Sequence, residues 1–378
     1  MPTIHLFEDD RCVDLHPFHA VEGVQGIRFG AFLQSERWAS VERSLPLEAG
    51  GPDRIYVNAR WIPGADTLDL LSSLKPGESL TQNNVLLAQW SRHDNDTARE
   101  IPQSAPQRLL QGANELFAAL GEQIEFDRPA LQTEWDLTSW NGQGPSLVFG
   151  TPTEVLISPS ATIKAATIDA EAGPVIIGPN ATIEAGAHLK GPLIVGRGAT
   201  VRMAARISGP TVIGDGCKVG GEISNVNFQG WANKAHDGFL GNSVIGRWCN
   251  LGAGTESSNL KNTYGEVRQW SERSQDLVGT GRQFCGLLMG DHSKCGIGTT
   301  FNTGTVVDPA CVIFDAGFPP KHLPAFSWFN ARTQEMLTQD IERMLSTAEK
   351  VMARRGHALT AAQRDRLSQL HALRLQRG

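Results

Sequence analysis

The chain lacks most marks of a secreted, membrane-embedded or nucleic-acid-binding protein. Its six cysteines, at 12, 217, 249, 285, 295 and 311, form no C-x-x-C pair. That excludes zinc-ribbon and thioredoxin-like spacings, and a buried free thiol then acts as a small hydrophobe. No stretch approaches the ~20 apolar residues of a membrane span. The first ten residues, MPTIHLFEDD, are acidic and carry no charged-then-apolar leader pattern. Basic residues are in deficit, with Lys+Arg 34 against Asp+Glu 40 and a net charge of -6. A phosphate-backbone binder carries the opposite balance, so no nucleic-acid partner and no membrane partner is expected. Hydrophobic residues at 40% and charged residues at 20% exclude a disordered chain. A reduced, cytoplasmic protein is the expectation. At ~150 residues per domain, 378 residues make about two and a half domains.

What the chain has in excess is glycine, 40 residues, and a six-residue stride. Stepping by six from Ile177 meets Ile183, Leu189, Val195, Val201, Ile207, Ile213 and Val219, all aliphatic. At 40% hydrophobic residues, eight such hits arise by chance in about 7 of 10,000 registers. The residue four places on is mostly small: Ala181, Ala187, Ala199, Ala205, Thr211 and Cys217. The stride returns at Met289, Cys295, Phe301, Val307 and Ile313, with Ile245 and Leu251 as a shorter pair. An α-helix repeats at 3.6 and a strand at 2, so neither alone explains a period of six. The pattern predicts a parallel β-helix of triangular cross-section, its aliphatics pointing inward and its small residues at the corners. Two breaks, about 225–243 and 256–283, are expected to be insertions at corners, where solenoids carry function.

Residues 1–150 lack the stride. Strands are expected at 4–7, 54–58 and 85–88, and helices at 31–43 and 107–120, giving an α/β layer domain. Asn141-Gly142-Gln143-Gly144-Pro145 reads as a linker. From about Thr333 a helical tail is expected, with Thr360-Ala361-Ala362-Gln363 as a capping box. The predicted organisation is therefore α/β over 1–150, β-helix over 151–328 and helical tail over 329–378.

The first break and the coil after it hold the strings N-K-A-H-D-G-F-L-G-N from Asn233 and C-N-L-G-A-G-T from Cys249, followed by Asn259. This spacing resembles the acetyltransferase half of the bifunctional GlmU enzymes, which make UDP-N-acetylglucosamine. The strings C-G-L-L-M-G-D-H-S-K-C-G from Cys285 and F-N-T-G-T-V-V from Phe301 resemble a divergent GlmU-related branch. The resemblance implies a left-handed hexapeptide β-helix behind a nucleotidyltransferase-like domain. It implies acetyl-CoA as co-substrate, an amino-sugar phosphate or nucleotide sugar as acceptor, and a homotrimer.

It also implies residue roles. His236 is the general base for the attacking amine, work that suits an imidazole near neutral pH. Arg202 binds the sugar phosphate, and Asn250 and Asn259 hold the acceptor, although both also fit a structural ladder or turn position. The Ala253 N–H faces the thioester oxygen. Read from its own place at a corner of the later coil, Lys294 is either structural or a partner for the CoA phosphates. No metal ligand is assigned. This sequence departs from the family at Phe239 and Leu260, where tyrosines are expected. The N-terminal half also lacks the family's glycine-rich phosphate loop. There, Glu8, Asp9 and Asp10 either hold a divalent ion such as Mg2+ or form a solvated acidic turn. A nucleotidyltransferase whose solenoid serves only trimerisation or regulation remains the alternative.

Overall fold

A computed structural model describes residues 3–45, 54–91, 99–102, 106–142 and 144–377. Of the expected 141–145 linker, Gln143 lies outside these residues.

The six-residue stride does build a left-handed β-helix. Each coil lays three short strands on three faces. The second face is a ten-stranded sheet, parallel except for its last member. Its inward column runs Ile163, Ile183, Val201 and Val219 in direct register. Beyond the break it resumes with Leu251, Cys295, Ile313 and Phe329. These aliphatics, with Ala181, Ala199 and Cys217 at the corners, form one buried core.

The first break is not an insertion. Residues 222–245 continue the coils through strands Glu222–Phe228, Asn233–Lys234 and Phe239–Ile245. What changes is the corner length: Val219 and Ile223 are four residues apart, and Ile223 and Phe228 five. The stride slips while the ladder continues. The second break is an insertion, carrying an antiparallel hairpin of Arg268–Ser271 and Asp276–Gly279.

The N-terminal half holds a mixed five-stranded sheet, in which Thr3–Phe7 pairs parallel with Arg54–Asn58 and the latter antiparallel with Val85–Ser91. Helix α1 spans Gln34–Ser44 and α2 Thr67–Ser73. The expected helix at 107–120 is instead a strand at Arg108–Leu109, a short α3 at Glu115–Ala118 and a longer α4 at Leu120–Glu134. The tail also differs from expectation. Met336–Thr338 is a strand that closes the last coil edge against Ser327–Asn330, and helix begins only at α5, Ile341–Ala353, and α6, Ala361–Arg377. Asp340 caps α5 by accepting from the Arg343 N–H.

The two halves share a core. On the first face the residue before the inward one points away from the prism, yet Leu156, Ile176, Ile194, Val212, Val244, Leu288 and Val306 are all buried. They pack with Leu116, Phe117, Leu120 and Ile124 of α3 and α4. Arg28 crosses the seam to Asp215 at 2.8 Å, and Asn227 donates to the Leu116 carbonyl at 3.0 Å. No helix among the described residues is long and apolar enough to cross a membrane.

Candidate active site on the solenoid

The coil after the slip carries a lysine where every coil below it carries an aliphatic. Lys234 pairs with Val219 in register and is 1% exposed. Its Nζ donates to the carbonyls of His236 at 2.7 Å and Gly220 at 3.4 Å. Burial pushes the ammonium down to about 8, against the pull of the Glu256 and Asp237 carboxylates. A buried cation is costly. Its position is explained by what it holds: the corner from the second face to the third, where His236 and Asp237 stand exposed.

The next coil turns the same corner with Gly252-Ala253-Gly254. The Gly254 N–H donates to the Asp237 carbonyl at 3.0 Å, so His236 and Ala253 sit on adjacent coils of one edge. Among the described residues, the Ala253 N–H finds no acceptor. Arg202 lies on the same edge below: the Gly220 backbone separates it from the His236 coil, and a Cβ on Gly220 would come within 3.1 Å of Arg202 Cβ. Its guanidinium pairs with Glu184 at 2.6 Å, and the same carboxylate accepts from the Met203 N–H.

Asn250 and Lys294 come together elsewhere. They pair across the outer side of the second face and line a cavity of about 360 Å³ under the end of α5, with Lys218, Asn233, Arg354 and Arg355. Asn233 donates to Asn250 Oδ1 at 2.8 Å, so Asn250 is part of a side-chain ladder as well. Lys294 Nζ donates to the His292 carbonyl at 2.7 Å, and burial lowers its pKa. The aromatic wall of this groove comes from a corner column. Trp231, Trp248 and His292 all hold the left-handed conformation that turns the first face into the second, at φ of 57°, 62° and 63°. Stacking repays that strain: Trp231 lies on Trp248 at 5.5 Å and 9°, and His357 caps both rings edge-on.

Asn259 stands apart from both groups, at the far end of the third face, where it donates to Asn242 Oδ1 at 2.7 Å. Phe239 begins the strand between that end and His236, and Glu256 accepts its N–H. The six expected residues therefore divide into an edge (Arg202, His236, Ala253), a groove (Asn250, Lys294) and an isolated Asn259. Lys234 was not among the expected residues. The signal was present: restarting the stride at Phe228 lands on Lys234 and then Leu240, so a cation occupies an inward position.

In the N-terminal half, Glu8, Asp9 and Asp10 do not converge on an ion. Asp9 gives both carboxylate oxygens to Arg60, at 2.6 and 2.8 Å, and one also accepts from Asn58. Although burial would raise it, these partners hold Asp9 down at about 2. Glu8 accepts from the Val24 N–H at 2.6 Å. Among the described residues these three carboxylates form no cluster of ligand atoms that could hold an ion, and Asp9, the most engaged of them, is turned to Arg60. The same region does open a cavity of about 650 Å³ at the carboxyl ends of the first two parallel strands, lined by Leu6, Glu8, Gly23, Gln25 and Ala59 and covered by the start of α6.

A family model described as a sugar nucleotidyl transferase matches residues 4–143. No curated protein matches the chain. Among solved structures the chain is similar to the polysialic acid O-acetyltransferase OatWY, at 14% identity over 51% of this chain and 88% of that one, with a TM-score of 0.26. It is similar to AntD, an N-acyltransferase from Bacillus cereus solved with dTDP-4-amino-4,6-dideoxyglucose and coenzyme A, at 11% identity over 56% and 92%, with a TM-score of 0.25. It is also similar to a GDP-perosamine N-acetyltransferase from Caulobacter crescentus, solved with CoA and GDP-perosamine, at 11% identity over 65% and 87%, with a TM-score of 0.18. The chain thus joins an N-terminal nucleotidyltransferase-like domain to a left-handed hexapeptide β-helix and a pair of C-terminal helices.

Proposed function

We propose that the solenoid transfers an acetyl group from acetyl-CoA to the amine of an amino sugar, carried as its phosphate or as a nucleotide sugar. This is the reaction that the GlmU-like strings imply. The observation that carries it is the edge at His236: an exposed imidazole whose own carbonyl is clamped by a buried lysine, one coil from an unengaged N–H. His236 takes the proton as the amine attacks the thioester carbon. The Ala253 N–H receives the oxygen on which charge develops, and the CoA thiolate leaves and is protonated. The coils hold amine and thioester together, which removes much of the entropic barrier. The basic groove of Lys218, Lys294, Arg354 and Arg355 supplies cations suited to the CoA phosphates. Because His236 is exposed in the single chain, a neighbouring copy in a trimer closes the site in this scheme. Thiol release from acetyl-CoA with glucosamine 1-phosphate and with amino-sugar nucleotides tests it. His236→Ala lowers kcat by ~100-fold or more; an unchanged rate rejects the assignment.

A second reading assigns sugar nucleotidyl transfer to the N-terminal half. The family-model match and the cavity at the strand ends support it, since α/β sheets place ligands outside the carboxyl ends of their strands. Pyrophosphate release from a nucleoside triphosphate and a sugar 1-phosphate is the assay. Silence across the common nucleotides removes this reading.

A further inference from the structure

Far from the His236 edge, three metal-ligating side chains meet where the N-terminal half, the last coils and α6 converge. His16 follows the turn Asp10–Leu15. Asp308 sits just after the strand Val306–Val307, and His322 pairs with Val306 one coil on. Asp308 Oδ1 lies 2.6 Å from His16 Nε2, and Oδ2 lies 3.2 Å from His322 Nε2. The three ligand atoms are all within 4.8 Å of one another. Four ligands at 2.0–2.2 Å from a tetrahedral ion stand roughly 3.3 Å apart, so only small adjustments are needed.

The surroundings also point to a missing ligand. The cluster opens on a cavity of about 430 Å³, also lined by His19, Trp270, Arg366 and Arg374. Two nitrogens of those lining residues, His19 Nδ1 and Arg374 Nε, are buried without a partner among the described residues, a cost that a bound polar group would offset. The insertion hairpin supplies Trp270, whose ring stacks on His322 at 4.1 Å and 9° and fixes the imidazole plane. Two of the ligands come from points 292 residues apart in sequence, so an ion there would tie the N-terminal half to the end of the solenoid.

We propose that His16 Nε2, the Asp308 carboxylate and His322 Nε2 form a site for a divalent first-row metal ion, Zn2+ by its donor set, with an open position facing the arginine-lined cavity. Two imidazoles and one carboxylate suit zinc, whereas Mg2+ and Ca2+ take oxygen ligands. The open position with Arg366 and Arg374 beside it suits a small anion such as phosphate.

The test uses the full chain, stripped with a chelator and titrated with Zn2+ by calorimetry. Co2+ substitution provides an absorption readout of the same site. Wild type takes up one equivalent and its Tm rises, because the ion binds only the folded chain. Asp308→Asn weakens that equivalent by ~100-fold or more, since losing a residue that merely supports a ligand already costs about 10–100-fold. The half-buried His322→Gln does the same should Asp308→Asn fail to fold. Uptake in either folded variant at wild-type affinity overturns the site. So does a wild type that binds no Zn2+, which would leave a His–Asp–His hydrogen-bonded clasp only. None of these measurements depends on acetyl transfer.

Discussion

The coils from Val155 to Val219 and those from Glu222 to Ser257 share one backbone ladder but differ in what they place inside it. In the lower coils the first turn takes twenty residues and the later ones eighteen, the inward positions are Ile, Val and Leu, and the corners are small. In the upper coils the corners shorten, Val219 to Lys234 takes only fifteen residues, and a lysine enters the interior. Parallel pairing runs through the slip without a gap. The backbone hydrogen bonds therefore tolerate a wrong side chain. The lower coils specialise in apolar burial and the upper ones in holding polar groups at an edge.

That contrast can be broken most severely on the lower coils. Ile194→Asp places a charge on the buried face beneath α4 and costs about 4 kcal/mol or more. Urea unfolding should then show a large fall in midpoint, with the N-terminal half released first. A midpoint within error of wild type would mean that the shared core is not formed in solution.

The reciprocal change in the upper coils runs in the opposite direction. Lys234→Met replaces the buried cation with an apolar chain of similar length and raises stability by about 1–2 kcal/mol. Acetyl transfer falls at least tenfold, because the His236 carbonyl loses its clamp. A variant that is both less stable and fully active would show that Lys234 is neither a cost nor a positioning residue.

The pH dependence sharpens the same point. The folded pKa of Lys234, about 8, lies below its ordinary 10.5. Between those values the unfolded chain keeps a proton that the folded chain has lost. Stability therefore gains from this group as pH rises from 8 toward 10. The gain is read as the difference in urea midpoint between wild type and Lys234→Met at each pH. A difference that stays flat or grows in favour of the variant contradicts the burial.

The smallest effect belongs to Arg202. Its pair with Glu184 is partly exposed, so Arg202→Ala changes stability by less than about 0.5 kcal/mol. If the guanidinium also meets the sugar phosphate, KM for a phosphorylated acceptor rises about tenfold with kcat little changed. Equal KM values would leave Arg202 as a solvated corner charge.

The prism was legible because each of its three faces demands an inward aliphatic, so the demand recurs every six residues along the chain and every eighteen within one column. The adjacency of His236 and Ala253 did not follow from the stride, which breaks over 225–243; it rests on the Gly254 N–H that donates to the Asp237 carbonyl one coil below. The slip hid Lys234, because corners of four and five residues shift the stride just below the His236 edge. The N-terminal docking face went unread although Leu193-Ile194-Val195 advertises it: three consecutive aliphatics on a strand bury both faces. The segment 107–120 misled for a different reason. Its leucines fit a helical stripe, but Leu109 pairs with Trp61 in a strand before the chain turns into α3.

By itself the sequence determined the triangular prism and its six-residue register, because each depends on contacts between residues one coil apart; the hand of the helix and the place of His236 came from the resemblance. The meeting of Asn250 with Lys294 across a 28-residue excursion was decided only by tertiary structure, as was the burial of the solenoid's first face under α3 and α4. So was the convergence of His16, Asp308 and His322. Those depend on how distant segments share one apolar interior, and no local spacing records that.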